Sequence, residues 1–300
     1  MQRSKWLKVM TTVISGPGQP SIGKQLADLL NATHVSVKDK FFPDGERDMI
    51  LSSENLDKKT IIVQSITRPQ DSNFFSLLQL AYTAEEFGAE DITLVAPYLA
   101  YGAKDRRILE GEIVSVFHVF KLIRATPAKR LYMIDLHNLE VLKGREDFFH
   151  NVSAMPAFGN YYLEKNLNNP LVLAPDLGAK ERVSIIGKVM NAETDYFEKK
   201  RDPVNGEIKL FSHKINVKDR DVIIADEVIR TGGTIAKSVA ALRRMNAGRI
   251  FVASTHMMAI NDGEKRILEA GAEEIISTDS LPSVYSKIPC APIIHNELKI

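Results

Sequence analysis

Short apolar runs alternate with amphipathic stretches along most of the chain. Runs such as Leu171–Ala174 and residues 222–225 are typical of strands buried on both faces of a parallel sheet. Between such runs, apolar residues recur at intervals of three and four, as in residues 72–87, which predicts helices with one buried face. Alternating strands and helices predict an α/β protein with mostly parallel sheets flanked by helices.

The same pattern places the individual elements. The predicted strands are residues 9–14, 34–37, 60–64, 92–96, 131–134, 171–174, 195–197, 222–225, 250–254 and 274–277. The predicted helices are residues 21–30, 72–87, 114–123, 179–190, 234–245 and 263–270. Residues 138–170 are expected to cross between two weakly similar halves. This crossing predicts one domain at residues 1–150 and a second at 151–300.

Acidic and histidine side chains follow several of the predicted strands. Asp135 and His137 follow one strand, Asp176 follows another, and Asp226 and Glu227 follow a third. In open parallel sheets, ligands bind beyond the carboxyl ends of the strands. This shared position predicts an enzyme.

The stretch from Asp221 to Met245 carries the most specific chemistry. An apolar strand leads into two carboxylates, a glycine turn and the start of an amphipathic helix. Backbone N–H groups at a helix start, approached through glycines, bind anions, and the threonine hydroxyls add donors. A ribose with a 5-phosphate would use both the acids and the anion site. The residues concerned are Asp226, Glu227, Thr231, Gly232, Gly233 and Thr234.

Composition narrows the class of protein. The chain has 300 residues, of which 44% are hydrophobic and 26% charged, as expected for a soluble protein of one or two domains. A net charge of +1 argues against nucleic acid as the main partner. The single cysteine, Cys290, excludes an intrachain disulfide and fits a cytoplasmic protein. No apolar run is long enough to span a membrane, so no membrane partner is expected.

The stretch around Thr231–Thr234 resembles the phosphoribosyl-pyrophosphate motif of the phosphoribosyltransferase fold. Further motifs extend the resemblance over nearly the whole chain, to the ribose-phosphate diphosphokinase family. In chain order they are Phe-Pro-Asp-Gly-Glu at 42–46, Val-Gln-Ser at 63–65 with Arg-Pro at 68–69, Pro-Tyr at 97–98 with Tyr101 and Asp-Arg at 105–106, Asp-Leu-His at 135–137, Pro-Asp-Leu-Gly at 175–178 and Lys-Lys-Arg at 199–201. No single motif is specific, whereas their order and spacing are.

The resemblance implies an activity and roles for individual residues. The implied reaction transfers the diphosphoryl group of ATP to the anomeric hydroxyl of ribose 5-phosphate, with Mg²⁺ as cofactor, giving phosphoribosyl pyrophosphate and AMP. The implied ATP-binding residues are Phe42, Asp44, Glu46, Lys104, Asp105, Arg106 and His137, and the implied metal-linked residues are His137 and Asp176. The implied catalytic residues are Lys199 and Arg201. The implied ribose-phosphate-binding residues are Asp226, Glu227, Arg230, Thr231, Gly232, Gly233 and Thr234. The family also implies a homo-oligomer, either a dimer or a hexamer.

The chain departs from the family pattern near both substrates. Ala103 stands where the family has an arginine for ATP, and Glu227 stands where it usually has Asp. Arg230 replaces an Asp or a small polar residue, and extra residues occur at 144–147. These departures leave two alternatives open. The acceptor could be larger, such as ADP-ribose, whose second phosphate would suit Arg230, or the protein could be a catalytically silent regulatory homologue. A true phosphoribosyltransferase is disfavoured by the ATP-loop motifs.

Overall fold

A computed structural model describes residues 10–201, 208–212 and 216–299, and the side chains of 199–201 and 208–212 are outside that description. The chain folds into two compact units. Unit 1 is Met1–Val152 together with Cys290–Ile300, and unit 2 is Ser153–Pro289. The C-terminal helix therefore returns to the first unit.

Each unit is built around one sheet. The strands of unit 1 are β1 (Thr11–Ser15), β2 (Thr33–Phe41), β3 (Arg47–Leu51), β4 (Lys59–Val63), β5 (Asp91–Ala96), β6 (Arg130–Ile134) and β7 (Phe149–Val152). Those of unit 2 are β8 (Leu171–Ala174), β9 (Glu193–Arg201), β10 (Ile208–Ser212), β11 (Val222–Ile229), β12 (Ile250–Met257), β13 (Glu274–Thr278) and β14 (Ser286–Ile288).

Helices connect the strands in both units. Unit 1 contains α1 (Pro20–Leu30), α2 (Gln70–Glu86), α3 (Ser115–Arg124) and, from the end of the chain, α8 (Cys290–Glu297). Unit 2 contains α4 (Met155–Leu163), α5 (Lys180–Met190), α6 (Gly233–Arg244) and α7 (Gly263–Glu269). Short 3-10 helices occupy Leu139–Leu142 and Leu177–Ala179. No described helix has the length and apolar character needed to cross a membrane.

The two sheets have the same topology. Unit 1 has the order β3-β2-β1-β4-β5-β6-β7, and unit 2 has β10-β9-β8-β11-β12-β13-β14. In each sheet one edge strand is antiparallel: β3 pairs antiparallel with β2, and β10 with β9. The remaining neighbours are parallel, as the alternation of strands and helices predicted. The predicted α/β class with two mostly parallel sheets is thereby confirmed.

Two helices at equivalent positions in the two units end in the same way, which indicates an internal duplication. Helices α1 and α5 each contain 11 residues, and each is closed by an asparagine in the left-handed region, Asn31 and Asn191. The following alanine then donates its N–H back into the helix, from Ala32 to Ala27 and from Ala192 to Gly187, at 2.9 Å in both cases. Asparagine tolerates the positive φ that such a helix end requires. The same cap therefore directs the chain into β2 in one unit and β9 in the other.

Several predicted boundaries were wrong. The strand predicted at residues 34–37 extends to Phe41 as β2, and after the turn at residues 42–46 it forms a hairpin with the unpredicted strand β3. The strand predicted at residues 195–197 is longer, and β9 continues through the charged residues that follow to Arg201. Strand β11 runs to Ile229, so the acid pair lies inside the strand and not after it. Short strands with many polar residues, such as β3 and β7, escaped a prediction based on apolar runs.

Each unit has its own apolar core. In unit 1, residues of the central strands, including Ile14, Ile62 and Leu94, are buried against α2. In unit 2, β8, β11 and β12 contribute buried residues that pack with Val239 and Leu242 of α6. These cores hold the carboxyl ends of the central strands in fixed positions.

Candidate functional site

The strand order of unit 2 reverses direction between β8 and β11. The chain proceeds outward from β8 to β9 on one side and from β11 to β12 on the other. Connections on the two sides of such a reversal lead away from each other and leave a crevice at the carboxyl edge, where open α/β sheets bind ligands. Asp176 follows β8, and Asp226 and Glu227 lie in the last part of β11. The fold thus brings these three predicted acids to the same edge.

The acid pair is held by an arginine that sequence reasoning did not single out. Glu227 is buried, with 4% of its surface exposed, and its Oε2 lies 3.1 Å from Nη1 of Arg182 in α5. Arg182 also donates to the carbonyl oxygen of Gly178 at 3.2 Å. A buried carboxylate needs such a partner because an unpaired charge away from water is costly. The cation tethers the end of β11 to the segment after β8.

Asp226 is the neighbouring acid and carries an unusual pKa. Its Oδ1 accepts the backbone N–H of Glu227 at 2.9 Å. Burial, followed by the hydrogen bond and the charge of Glu227, raises the pKa of Asp226 to about 9, against an opposing effect of Arg182. At neutral pH Asp226 therefore retains its proton. Hydrogen bonds donated by sugar hydroxyls, or a nearby cation, would favour the ionised carboxylate and lower the pKa of Asp226.

The turn after β11 has the features of an anion site. Gly232 has φ +68°. Helix α6 begins at Gly233 and has 12 residues, and no side chain caps the N–H groups of its first turn. A Cβ on Gly232 would lie 2.4 Å from the carbonyl oxygen of Gly263, so only glycine fits there. A Cβ on Gly233 would meet no atom closer than 3.9 Å, which leaves space in front of the helix. Thr231 and Thr234 are exposed at the same turn.

Arg230 lies immediately before this turn and is exposed. Its carbonyl oxygen accepts the N–H of Ile260 at 2.8 Å, and Met258 donates to Ile229 at 2.9 Å. These bonds continue the pairing of β11 and β12 into the following loop. They fix the backbone of Arg230 and leave its guanidinium in solvent.

Asp176 caps the segment that follows β8. The Asp176 carboxylate is half-buried and accepts the N–H of Gly178 at 3.0 Å, which begins the 3-10 helix Leu177–Ala179. The residue therefore has a structural task at the predicted metal position.

In unit 1, the predicted ATP-binding residues lie in several segments. Phe42, Asp44 and Glu46 form the exposed tip of the β2–β3 hairpin. Gly45 has φ +95° and donates to the carbonyl oxygen of Phe42 at 2.9 Å, and Asp44 accepts the N–H of Glu46 at 3.1 Å. The turn is therefore ordered by its own hydrogen bonds, while its side chains face solvent.

The predicted ATP loop between β5 and α3 contains Lys104, Asp105 and Arg106. The ammonium of Lys104 forms an ion pair with Glu112, whose other oxygen accepts the N–H of Ile108 at 2.7 Å. Arg106 is exposed. Lys104 is one of the implied ATP-binding residues, and in this structure its charge is paired within the loop.

His137 is brought next to this loop. Asp105 accepts a hydrogen bond from the side-chain amide of Asn138 at 2.6 Å, which ties the loop to the residue after His137. The N–H of Leu136 donates to the side chain of Asn151 at 2.7 Å, so the segment is fixed on both sides of the histidine. His137 itself is exposed. Asp105 and His137 thus lie on adjacent, hydrogen-bonded segments of unit 1.

Two further predictions concern residues that the structure describes incompletely. Lys199 and Arg201 belong by their backbone to the end of β9, where they pair with Leu210 and Ile208 of β10. Their side chains lie outside the described residues. In the described part of the chain, no group of three His, Cys, Asp or Glu side chains is arranged to hold a metal. Magnesium is commonly bound through one or two carboxylates, substrate phosphates and water, so half-buried Asp176 fits such a role.

Comparison with known proteins identifies the family. A family model described as the N-terminal domain of ribose phosphate pyrophosphokinase matches residues 11–126, and one described as the phosphoribosyl transferase domain matches residues 154–278. The ribose-phosphate pyrophosphokinase of Methanopyrus kandleri is 35% identical over 273 residues, which cover 90% of this chain and 92% of that protein. The ribose-phosphate pyrophosphokinase of Pyrococcus furiosus is 33% identical over 289 residues, which cover 95% and 100%.

A solved structure supports the same architecture. The phosphoribosylpyrophosphate synthetase of Mycobacterium smegmatis superposes with a TM-score of 0.83 and covers 96% of this chain and 97% of that one. The two sequences are 22% identical, so this match shows that the two proteins share a fold. Together with the sequence matches, these findings confirm the resemblance drawn from the motifs. The chain belongs to the ribose-phosphate pyrophosphokinase family and is an enzyme of the diphosphotransferase class.

Proposed function

We propose that the protein transfers the diphosphoryl group of ATP to the anomeric hydroxyl of ribose 5-phosphate, in a magnesium-dependent reaction that yields phosphoribosyl pyrophosphate and AMP. The observation that carries the proposal is the carboxyl edge of β11. There the acid pair Asp226–Glu227 lies in the last part of the strand, and three residues separate it from the glycine turn that leads into α6. A site for a ribose phosphate needs acids that accept hydrogen bonds from the sugar hydroxyls and N–H groups that bind the phosphate. Relatives named ribose-phosphate pyrophosphokinase supply the reaction class.

On this proposal, the residues of unit 2 bind and orient the acceptor. The N–H groups at the start of α6 and the hydroxyls of Thr231 and Thr234 would hold the 5-phosphate. Asp226 and Glu227 would accept hydrogen bonds from the ribose hydroxyls. Such binding converts an encounter between two substrates into a reaction at fixed geometry, which is a large part of catalysis in phosphoryl transfer.

The chemical step itself is a displacement at phosphorus. The oxygen of the anomeric hydroxyl forms a bond to the β-phosphorus of ATP, and the bond between that phosphorus and the oxygen shared with the α-phosphorus breaks. AMP leaves with that oxygen, and the hydroxyl proton is lost to solvent or a base. Lys199 and Arg201, assigned by resemblance, would stabilise the charge that develops on the moving group. Magnesium, when bound near Asp176, would neutralise phosphate charge.

Unit 1 is proposed to bind ATP. The hairpin tip with Phe42 would contact the adenine, and the segment with Asp105 and His137 would face the phosphates. Exposed apolar side chains on this unit, Ile108, Leu109 and Ile113, fit a surface that is covered in a homo-oligomer, either a dimer or a hexamer. The buried residue Cys290 forms no disulfide, which fits the proposed cytoplasmic location.

The proposal is tested by product analysis. The protein is incubated with ATP and ribose 5-phosphate, with and without magnesium, and products are identified by mass. We expect AMP and phosphoribosyl pyrophosphate in equal amounts, only with magnesium, and almost none from Asp226→Ala or Asp176→Ala. Full activity of either variant would remove that residue from the site, and no product from the wild type would favour the silent homologue.

A further inference from the structure

The hairpin of β2 and β3 lies at the edge of the first sheet. Its turn is exposed at every position from Phe42 to Glu46. Among the described strands, β3 is an edge strand that pairs with β2 alone, so no described strand lies on the outer side of the turn. A turn that must present its side chains to a ligand in one position therefore needs an anchor elsewhere.

Arg47, the first residue after the turn, has the geometry of that anchor. Its side chain is 10% exposed, although it belongs to an exposed hairpin. Its Nε and Nη2 donate to Asp39 on the opposite strand at 2.9 and 2.8 Å. Its Nη1 donates to Asn73 at 2.6 Å and to Ser76 at 3.3 Å, both in α2. Its guanidinium also lies 4.9 Å from the ring centre of Phe41. All three nitrogens are thus used, two on the hairpin and one on a helix.

The contact with Asn73 continues into the interior of unit 1. Asn73 is buried, and its Oδ1 also accepts from Nε2 of Gln64, the buried residue after β4, at 3.1 Å. The Oε1 of Gln64 accepts the N–H of Gly18, in the loop after β1, at 3.0 Å. A Cβ at Gly18 would lie 2.0 Å from the carbonyl oxygen of Ser65, so these two loops are in close backbone contact.

The chain of bonds ends at the loops that follow β1 and β4. Strands β1 and β4 are the pair at which the strand order of the first sheet reverses, the position that corresponds to β8 and β11 in unit 2. The network Arg47–Asn73–Gln64–Gly18 therefore joins the hairpin turn to the carboxyl edge of the central strands of its own unit. A fully satisfied buried network of this kind is rigid.

We propose that Arg47 is a positioning residue, which fixes the turn Phe42–Glu46 relative to the carboxyl ends of β1 and β4. The inference rests on the proposed function in assigning that turn to ATP. Arg47 does not touch the substrate in this account and acts through the hairpin. A lysine cannot replace it fully, because the ammonium lacks the rigid fork that contacts Asp39 and Asn73 together.

The test uses Arg47→Met, Arg47→Lys and, as a matched control, Lys38→Met, which removes an exposed cation from the same hairpin. The first readout is hydrogen exchange of the unliganded protein. The N–H groups of Phe42, Gly45 and Glu46 are hydrogen-bonded within the turn and report its order. We expect at least about 10-fold faster exchange there in Arg47→Met, an intermediate effect in Arg47→Lys and none in Lys38→Met.

The second readout is steady-state kinetics. In Arg47→Met we expect the KM for ATP to rise about 10-fold or more, with kcat and the KM for ribose 5-phosphate changed less than about 3-fold. Unchanged exchange and unchanged KM in Arg47→Met would overturn the proposal, as would equal rises in both KM values. If Arg47→Met does not fold, Arg47→Lys carries the same two tests. Failure of the wild type to use ATP would contradict the proposed function alone, because the exchange experiment requires no substrate.

Discussion

Nη1 of Arg182 lies 3.1 Å from Oε2 of Glu227, and this ion pair supplies a positive charge to the buried acid pair at the end of β11. The same arginine opposes the rise in the pKa of Asp226 that burial and Glu227 cause. It thereby connects the segment after β8 to the charge state of the proposed ribose site.

Replacing Arg182 with methionine should therefore raise the pKa of the acid pair further. If ionised carboxylates bind the acceptor, the acid limb of the pH profile of kcat/KM for ribose 5-phosphate should move to higher pH, with about 10²-fold lower activity at neutral pH. Arg182→Lys should restore part of the loss. Lys188→Met, at the exposed far end of α5, is the control. An unshifted acid limb in Arg182→Met would show that the arginine has only a structural role.

The pKa of Asp226 also predicts a change of stability with pH. The folded pKa is about 9 and the ordinary value 3.8, so between these values the unfolded chain has released a proton that the folded chain retains. Stability should therefore fall as pH rises through this window. Asp226→Asn cannot titrate and should lose less stability between pH 6 and about pH 9. Thermal unfolding of both proteins across that range measures the difference, and parallel curves would contradict the assigned pKa.

Much of this site could be predicted from sequence, since its motifs combine a local pattern with a local structure. The turn Thr231–Thr234 follows an apolar strand and opens an amphipathic helix, and both neighbours are visible as periodicity. Arg182 and Glu227 are 45 positions apart along the chain, and only the parallel pairing of β8 with β11 makes their contact possible. Arg47 was missed because its role depends on a hairpin whose second strand, β3, begins with two charged residues and has an apolar run of only three.

The catalytic role that the resemblance assigns to Lys199 predicts a kinetic effect. Lys199→Ala should lower kcat by about 10²–10³-fold, the usual result of losing one donor to the transition state. The KM for ATP should change much less, because such a contact forms mainly as the reaction proceeds. Rapid-quench and steady-state measurements separate the two quantities. Weakened ATP binding with an unchanged kcat would instead make Lys199 a contact of the ground state.

Arg230 distinguishes the two acceptors that the sequence left open. Its guanidinium is exposed beside the glycine turn, where a second phosphate could reach it. We expect Arg230→Ser to leave kcat/KM for ribose 5-phosphate within about 2-fold, because a single phosphate is held by the turn itself. Any use of ADP-ribose should fall by about 10-fold, the value of one charge-assisted hydrogen bond. Equal losses with both acceptors would assign Arg230 to the 5-phosphate.

The central claim is that a diphosphoryl group moves intact from ATP to the acceptor bound at the end of β11. Phosphorus NMR of a reaction with ATP, ribose 5-phosphate and magnesium tests it directly. The account predicts two mutually coupled diphosphate signals on carbon 1 of the ribose, together with the single signal of AMP. Formation of ADP with a ribose bisphosphate would show transfer of one phosphoryl group only and would contradict the proposed reaction.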